Sequence, residues 1–185
     1  MKLLVAVIAM TSASLVVGQE AQPPIEKKAE KAKPSIVFLG KTYFLGDNIT
    51  ANKTIAVNRY YIEKGGPGKL GSHLLQRFIL TKDDAKTVAT KMAEVFKKKK
   101  GVTLVHDVAP GISGVITTEA GEKVAFVRVS IFEQAKNGKG VFVKSWDIAA
   151  PAMAKEKLEA IAAKFQKSTL EALTKAKFPR LALPP

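Results

Sequence analysis

Runs of β-branched and aromatic residues lie on both sides of one strongly helical segment, and a second helical segment follows near the end of the chain. Before the first helix stand IVFLGKTYFL, TIAVNRYYI and HLLQRFIL; after it comes the alternating stretch KVAFVRVSIF. A block of strands, a helix, a second block of strands and a second helix are typical of an α+β domain. We therefore predict an antiparallel sheet of about six to seven strands, with two amphipathic helices packed on one of its faces.

The individual strands are predicted from composition and from the turn signals between them. Residues 36–45 are a strand or a bent pair, and the polar DNITANK stretch after them is a turn region. Asn137 and Gly138 form a strong turn signal inside an antiparallel meander of three strands. The other predicted strands are 54–62, 73–80, 102–106, 115–118, 123–132 and 141–148.

The segment TKDDAKTVATKMAEVFKKKKG carries the signals of a complete helix. Thr81 is the predicted N-cap, and Asp83 and Asp84 then lie in the first turn, where the helix dipole favours acids. Apolar residues recur at helical spacing on one face. The lysine run 97–100 fills the last turn and Gly101 ends the helix. This run therefore has a structural explanation, and a polyanion site there is the alternative.

The second helix is predicted to begin near Pro151, because proline is tolerated in the first turn of a helix. Its apolar stripe must be buried, and the sheet is the available partner. That argument places both helices on the sheet. The stripe consists of Leu158, Ile161, Ala162, Phe165, Ala172, Leu173 and Ala176.

The beginning of the chain has the layout of a secretory signal peptide. Lys2 precedes an apolar run, 3–17, that is shorter than the roughly 20 residues of a membrane-spanning helix. An uncleaved anchor is the alternative; after signal removal we expect no transmembrane span. We therefore predict an exported protein, periplasmic or secreted. The predicted organisation is a signal peptide at 1–21, a flexible linker at 22–34, one α+β domain at 35–178 and a tail at 179–185.

Composition excludes several kinds of chemistry. The chain has no cysteine, so disulfides and thiol catalysis are absent, and its two histidines, His73 and His106, are far apart in sequence. A zinc site needs three or four ligands, so we predict no metal and no cofactor. The formal net charge is +14. Such a surface attracts polyanions, although scattered lysine is also an ordinary solvated surface.

The glycine-rich stretch GGPGKLGS, residues 65–72, is the closest approach to a nucleotide-binding motif. A phosphate loop requires Gly-Lys followed by Ser or Thr and then a helix, so that N–H groups point at the phosphate. Here Leu70 follows Gly68 and Lys69, and a strand comes next. We therefore interpret the stretch as a connection between strands.

Arginine is scarce in this lysine-rich chain, yet three of its four arginines fall within predicted strands. The planar guanidinium suits carboxylate and phosphate groups, and Tyr61 shares a strand face with Arg59. Arginines on a solvated sheet face, or paired with local acids, are the alternative. The candidate anion-binding residues are Arg59, Tyr61, Lys69, Arg77 and Arg128.

Three functions remain open at this point. The leading hypothesis is a small non-enzymatic envelope protein that binds an anionic component or a protein partner through the open sheet face, with nucleic acid a less favoured ligand. A hydrolase is the second, if the fold brings His73 or His106 beside an acid and a serine. The third is an envelope assembly or structural factor, which an exposed apolar patch around Phe126 and Phe132 would favour. The sequence gives no oligomeric state.

Overall fold

The computed structural model describes residues 33–52, 54–62, 71–97 and 101–181, and the side chains of these residues except at 50–52, 104, 106, 166 and 167. Lys69 and most of the glycine-rich stretch lie outside the described residues. The elements, in chain order, are β1 (Ser35–Phe38), β2 (Lys41–Asn52), β3 (Ile55–Tyr61), β4 (Gly71–Ile79), α1 (Ala85–Lys97), β5 (Gly101–Ala109), β6 (Ile112–Ala120), β7 (Val124–Gln134), β8 (Val141–Pro151) and α2 (Lys155–Lys175).

All described strands belong to one antiparallel sheet with the order β1-β2-β3-β4-β8-β7-β6-β5. Two four-stranded meanders meet at its centre, where β4 pairs with β8. An antiparallel sheet with helices agrees with the predicted α+β class, but the predicted count of six to seven strands is wrong, since the described residues form eight. The extra strand comes from 36–45, which bends into a hairpin at Leu39 and Gly40, both with positive φ.

The polar DNITAN stretch was predicted as a turn, but it forms the second half of β2. Its residues pair with β3 alone, because β1 pairs with β2 only from Lys41 to Phe44. One side of this half of β2 is therefore a sheet edge, where polar side chains are common because they discourage pairing with other chains. A register shift beside Gly46 marks the transition between the two halves.

The two helices pack on opposite faces of the sheet, so the prediction that they share one face is wrong. Helix α1 packs against Val115, Phe132 and Val143, and α2 packs against Ile116 and Val129. Val115 and Ile116 are consecutive in β6, and consecutive strand residues point to opposite faces. We name these the α1 face and the α2 face. The sequence pattern shows that each helix must bury a stripe, but both faces of these strands are apolar enough to receive one.

Helix α1 begins later than predicted. The first helical residue is Ala85, and its cap is Asp84, whose Oδ1 accepts a 2.6 Å hydrogen bond from the backbone N–H of Thr87. Thr81 accepts instead from the N–H of Asp83, at 3.1 Å, before the helix begins. The backbone hydrogen bond from Thr87 lowers the pKa of Asp84, because it stabilises the carboxylate.

The α2 face holds the main core. Tyr60, Leu74 and Trp146 lie side by side on β3, β4 and β8 and are buried together with Leu158 and Leu173 of α2. The chain beyond α2 returns to this face, where the Phe178 ring contacts Tyr60 and Leu181 is buried beside Ala56 and Phe78. Within the described ranges, neither helix has the length and apolar character needed to cross a bilayer.

Candidate functional site

Four of the five predicted anion-binding residues share the α1 face. Arg59 and Tyr61 are two apart on β3, so they point the same way, and Arg77 pairs with Val143 of the α1 face. Arg128 lies four residues before Phe132 on β7 and belongs to the same face. Helix α1 contacts mainly β5, β6 and β7, which leaves these side chains beside it or beyond it on the sheet. The arginine face is defined as Asp47, Arg59, Tyr61, His73, Arg77, Arg128 and Asp147.

A continuous row of side chains crosses five neighbouring strands on the arginine face. Direct antiparallel pairs join Tyr61 to His73, His73 to Asp147, Asp147 to Arg128, and Arg128 to Thr117. Directly opposed Cβ atoms in a sheet are about 4.5–5.5 Å apart, which is close enough for side-chain bonds. The Tyr61 and His73 rings are also in contact, with centroids 5.8 Å apart. Strand register alone therefore brings these groups together.

Asp147 is the most buried charged group of this row, with 7% of its side chain exposed. Arg128 Nε donates to Asp147 Oδ1 at 2.7 Å, and Arg128 Nη2 donates to Oδ2. His73 Nε2 lies 3.1 Å from Oδ2. Burial alone would raise the pKa of Asp147, but the hydrogen bonds from Arg128 and His73 outweigh it and hold that pKa below its usual value. Asp147 is therefore a carboxylate at neutral pH.

The same contacts hold the Arg128 guanidinium against Asp147. The hydrogen bonds to Asp147 raise the pKa of Arg128 against the opposing effect of burial. Two of its three guanidinium nitrogens contact Asp147, so a ligand would meet mainly the remaining Nη1. The structure thus makes Arg128 chiefly the partner of Asp147, and its predicted role as a direct anion ligand remains a prediction.

Arg77 is in a different state. Its Nε is buried and has no hydrogen-bond partner within the described part of the chain. Burial lowers the pKa of Arg77, and the positive charges of Arg128 and Arg59 lower it further, while Asp147 acts in the opposite direction. An unmet buried donor costs about 1–3 kcal/mol. Arg77 is therefore the residue of this face with most to gain from an anion.

Arg59 and Tyr61 lie on β3, on the side of the face away from α1, where Arg59 is opposite Leu75 and Tyr61 is opposite His73. The Arg59 side chain is exposed, and its strand register places Asp47 opposite it. The Tyr61 hydroxyl donates to Asp47 Oδ2 at 2.8 Å. Burial raises the pKa of Tyr61, and the Asp47 carboxylate raises it further. Tyr61 is thus a neutral donor already engaged by Asp47, and Arg59 is the accessible cation.

The arginine face has an excess of positive charge. Arg59, Arg77 and Arg128 carry three positive charges, and Asp47 and Asp147 carry two negative ones, with His73 counted as neutral. Asp147 balances Arg128 by direct contact, so the surplus lies with Arg59 and Arg77. A small anion that enters beside these two side chains would neutralise it.

Sequence reasoning missed the pairing of Asp147 with Arg128, although a signal for it exists. Counting nine residues back from Asn137 and nine forward from Gly138 brings Arg128 opposite Asp147. A turn centred on Asn-Gly fixes the register of the strands that flank it. His73 has no comparable signal, because its neighbour β8 is distant in sequence.

The described residues give less support to a hydrolase site, a metal site or an apolar interaction patch. His73 does stand beside an acid, but Ser145, two residues from Asp147, bonds to Ser130 at 2.8 Å and is buried. The described portion of the chain holds no cluster of three His, Cys, Asp or Glu suited to a metal ion. The apolar patch proposed around Phe126 and Phe132 does not form, because Phe132 is buried against α1 and only Phe126 is exposed.

Comparison with known proteins leaves the function to be inferred from this geometry. No family model matches the chain, and neither a curated protein nor a solved structure matches it significantly. The arginine face is therefore the feature from which a function is argued.

Proposed function

We propose that this chain is a small exported, non-enzymatic binding protein of the cell envelope, and that its arginine face binds an anionic envelope component. The observation that carries the proposal is Arg77, whose buried Nε has no partner among the described residues and whose charge lies near those of Arg59 and Arg128. Folding has given Arg128 an acceptor in Asp147 but has left the buried Nε of Arg77 without one. A carboxylate or phosphate beside the Arg77 guanidinium would offset this unbalanced positive charge.

The binding contacts divide into two groups. Arg77 and Arg59 contact the anion, because the Arg77 side chain is only partly buried and its charge is not balanced by a direct partner at Nε, and the Arg59 side chain is exposed. Arg128, Asp147 and His73 position the surface, since their bonds join β4, β8 and β7 into one rigid row. A rigid row keeps the guanidinium groups in place, so little conformational entropy is lost on binding.

A protein partner with acidic side chains is the alternative ligand for the same face, since its carboxylates offer the same acceptors. The hydrolase alternative rests on the contact between His73 and Asp147, which has the form of a base and its orienting acid. It lacks a nucleophile in hydrogen-bond contact with His73 among the described residues, because Ser145 bonds to Ser130 instead. The non-enzymatic function is therefore the better supported of the two.

Binding of the purified protein to a panel of anions at low and physiological salt tests the proposal. The panel holds a sulfated glycan, DNA, anionic lipid vesicles, an acidic peptide and a neutral glycan. Arg77→Gln and Arg59→Gln are compared with Arg180→Gln, which removes an equal charge from an exposed arginine outside the face. We expect one anionic member to bind at physiological salt, and Arg77→Gln to weaken it by about tenfold, the loss of one charge-assisted hydrogen bond.

Two results would contradict the proposal. Weak binding to every anion that disappears as salt rises would show that the net charge acts only as a generic surface property. Equal effects of Arg77→Gln and Arg180→Gln would show that the arginine face is not the site. Binding of the acidic peptide alone would assign the face to a protein partner.

A further inference from the structure

A second candidate site lies on the α2 face, on the opposite side of the sheet from the arginine face. It is a cleft of about 230 Å³ between the sheet and the first three turns of α2. An apolar cavity of about 150 Å³ is large enough to hold benzene. The walls are mostly apolar and include Val127, Trp146 and Ile148 from the sheet and Leu158, Ile161 and Phe165 from the helix.

One end of this cleft is polar. Lys41, an exposed residue of β2, and Ser72 of β4 line it beside the apolar walls. Trp146 Nε1 donates to the Tyr43 hydroxyl at 3.2 Å, and the Tyr43 and Ser72 hydroxyl oxygens are 2.7 Å apart. When Tyr43 donates its proton to Ser72 Oγ, the Ser72 proton remains for an acceptor in the cleft. A cation and a hydroxyl at the end of an apolar cleft match a ligand with an anionic head and an apolar chain.

We propose that this cleft binds the acyl chain of a single-chain anionic amphiphile, with the head group beside Lys41 and Ser72. Taking about 30 Å³ for a group the size of a water molecule, the cleft holds a chain on the order of eight carbons. The mostly apolar wall excludes a fully polar occupant such as a sugar, which would leave its hydroxyl groups without partners. The positive charge of Lys41 selects an anionic head over a cationic one. The proposal is independent of the arginine face, since the two sites lie on opposite faces.

The chain contains a single tryptophan, Trp146, and it lines the cleft, so its fluorescence reports directly on occupancy. The first probe is octanoate, titrated into the protein below its micelle concentration, with 8-bromooctanoate as a contact quencher. Propionate and octyltrimethylammonium test the chain and the head group. We expect saturable binding of octanoate, with about a fourfold change in affinity for each methylene removed from the chain.

Two variants and a matched control locate the site. Ala150→Phe places a ring in the cleft, whereas Ala149→Phe places the same ring on the α1 face one residue away. We expect Ala150→Phe to abolish quenching and Ala149→Phe to retain it, with circular dichroism as a check on folding. Lys41→Glu changes an exposed residue and does not threaten the core; we expect it to weaken octanoate about fivefold and to remove the preference over octyltrimethylammonium.

Vesicles that contain a brominated two-chain anionic phospholipid test the restriction to a single chain. Quenching by the free acid alone supports a single-chain amphiphile, whereas equal quenching by the vesicles would overturn that restriction. The proposal is overturned if no octanoate-dependent change saturates, or if Ala149→Phe and Ala150→Phe are quenched alike. If Lys41→Glu does not change the affinity for octanoate, the placement of the head group beside Lys41 is overturned.

Discussion

At the residue scale, Asp147 determines how the arginine face is held together. It accepts hydrogen bonds from Arg128 and contacts His73, so one carboxylate links side chains from β7 and β4 to β8. Its side chain is 7% exposed, whereas that of Arg128 is 39% exposed. Water can therefore solvate Arg128 when its partner is lost, but it cannot easily solvate Asp147.

We expect Arg128→Gln to destabilise the protein more than Asp147→Asn does. Removal of Arg128 leaves a buried carboxylate without its main partner, which costs about 3 kcal/mol, whereas removal of Asp147 leaves a cation that water reaches. Urea unfolding of the two single variants and the double variant measures this. The double variant should be more stable than Arg128→Gln alone. Equal losses in the two single variants would show that Asp147 is not the dependent partner.

The lowered pKa of Asp147 also predicts the direction of a pH effect. A carboxyl group whose pKa is lower in the folded state stabilises the fold above its unfolded pKa, which is about 3.9. That contribution is lost as pH falls through the folded pKa. We expect the urea midpoint to fall on acidification below about pH 4, and to fall less in Asp147→Asn. An unchanged acid dependence in the variant would contradict this account of Asp147.

We do not expect replacement of Arg77 to destabilise the fold, in contrast to replacement of Arg128. Its buried Nε has no partner within the described residues, and neighbouring positive charges lower its pKa. Arg77→Met keeps most of the volume and removes both costs, so we expect stability to stay level or to rise by about 1 kcal/mol while anion affinity falls about tenfold. Thermal unfolding and binding, measured on the same sample, test this. A loss of more than about 1 kcal/mol would indicate that Arg77 has a structural partner.

At the element scale, the start of α1 shows what local sequence signals can and cannot predict. The stretch TKDDA contains three residues able to cap a helix, and each reads as a valid beginning. The structure chooses Asp84, because Ala85 N–H donates to Gln134 Oε1 at 3.0 Å and fixes the first helical residue against β7. That contact joins residues distant in sequence, so the pattern of the helix alone could not reveal it.

We expect Asp84→Ala to lower the melting temperature more than Thr81→Ala. Asp84 accepts the hydrogen bond from the Thr87 N–H, which otherwise has no partner in the first turn of the helix, whereas Thr81 bonds only within the preceding turn. Differential scanning calorimetry of the two variants provides the comparison. A larger effect of Thr81→Ala would place the helix start where the sequence pattern alone suggested.

The arrangement of the helices about the sheet could not be predicted from local sequence patterns. The last two strands and their pairing follow from β-branched runs and from Asn137 and Gly138, and the structure bears these out. The sequence pattern does not predict which face of the sheet each helix covers, because Val115 and Ile116, which point to opposite faces, are both apolar and both buried. Placing α1 on one face and α2 on the other depends on how the connections cross the sheet, which no local pattern records.

At the scale of the whole molecule, the arginine face lies beside α1 and the mostly apolar cleft lies between the sheet and α2. Strand alternation predicts that Arg59 and Tyr61 share a face, whereas grouping Arg59 with Arg77 and Arg128 also requires the register between strands. The sequence does not predict which arginines have hydrogen-bond partners. Arg128 is bonded to Asp147, and packing buries the Arg77 Nε without a partner. Long-range strand register, rather than a sequence motif, therefore assembles the arginine face.

The measurement that tests the central claim most directly compares two double variants of equal net charge. Arg59→Gln/Arg77→Gln removes two charges from the arginine face, and Lys123→Gln/Lys139→Gln removes two from exposed residues at turns. Affinity for the anion selected from the panel is measured as a function of salt concentration. If the arginine face is the binding site, the affinity for the anion falls at least about tenfold in the arginine variant and stays near the wild-type value in the lysine variant. Equal losses in both would contradict the claim and assign the binding to net charge.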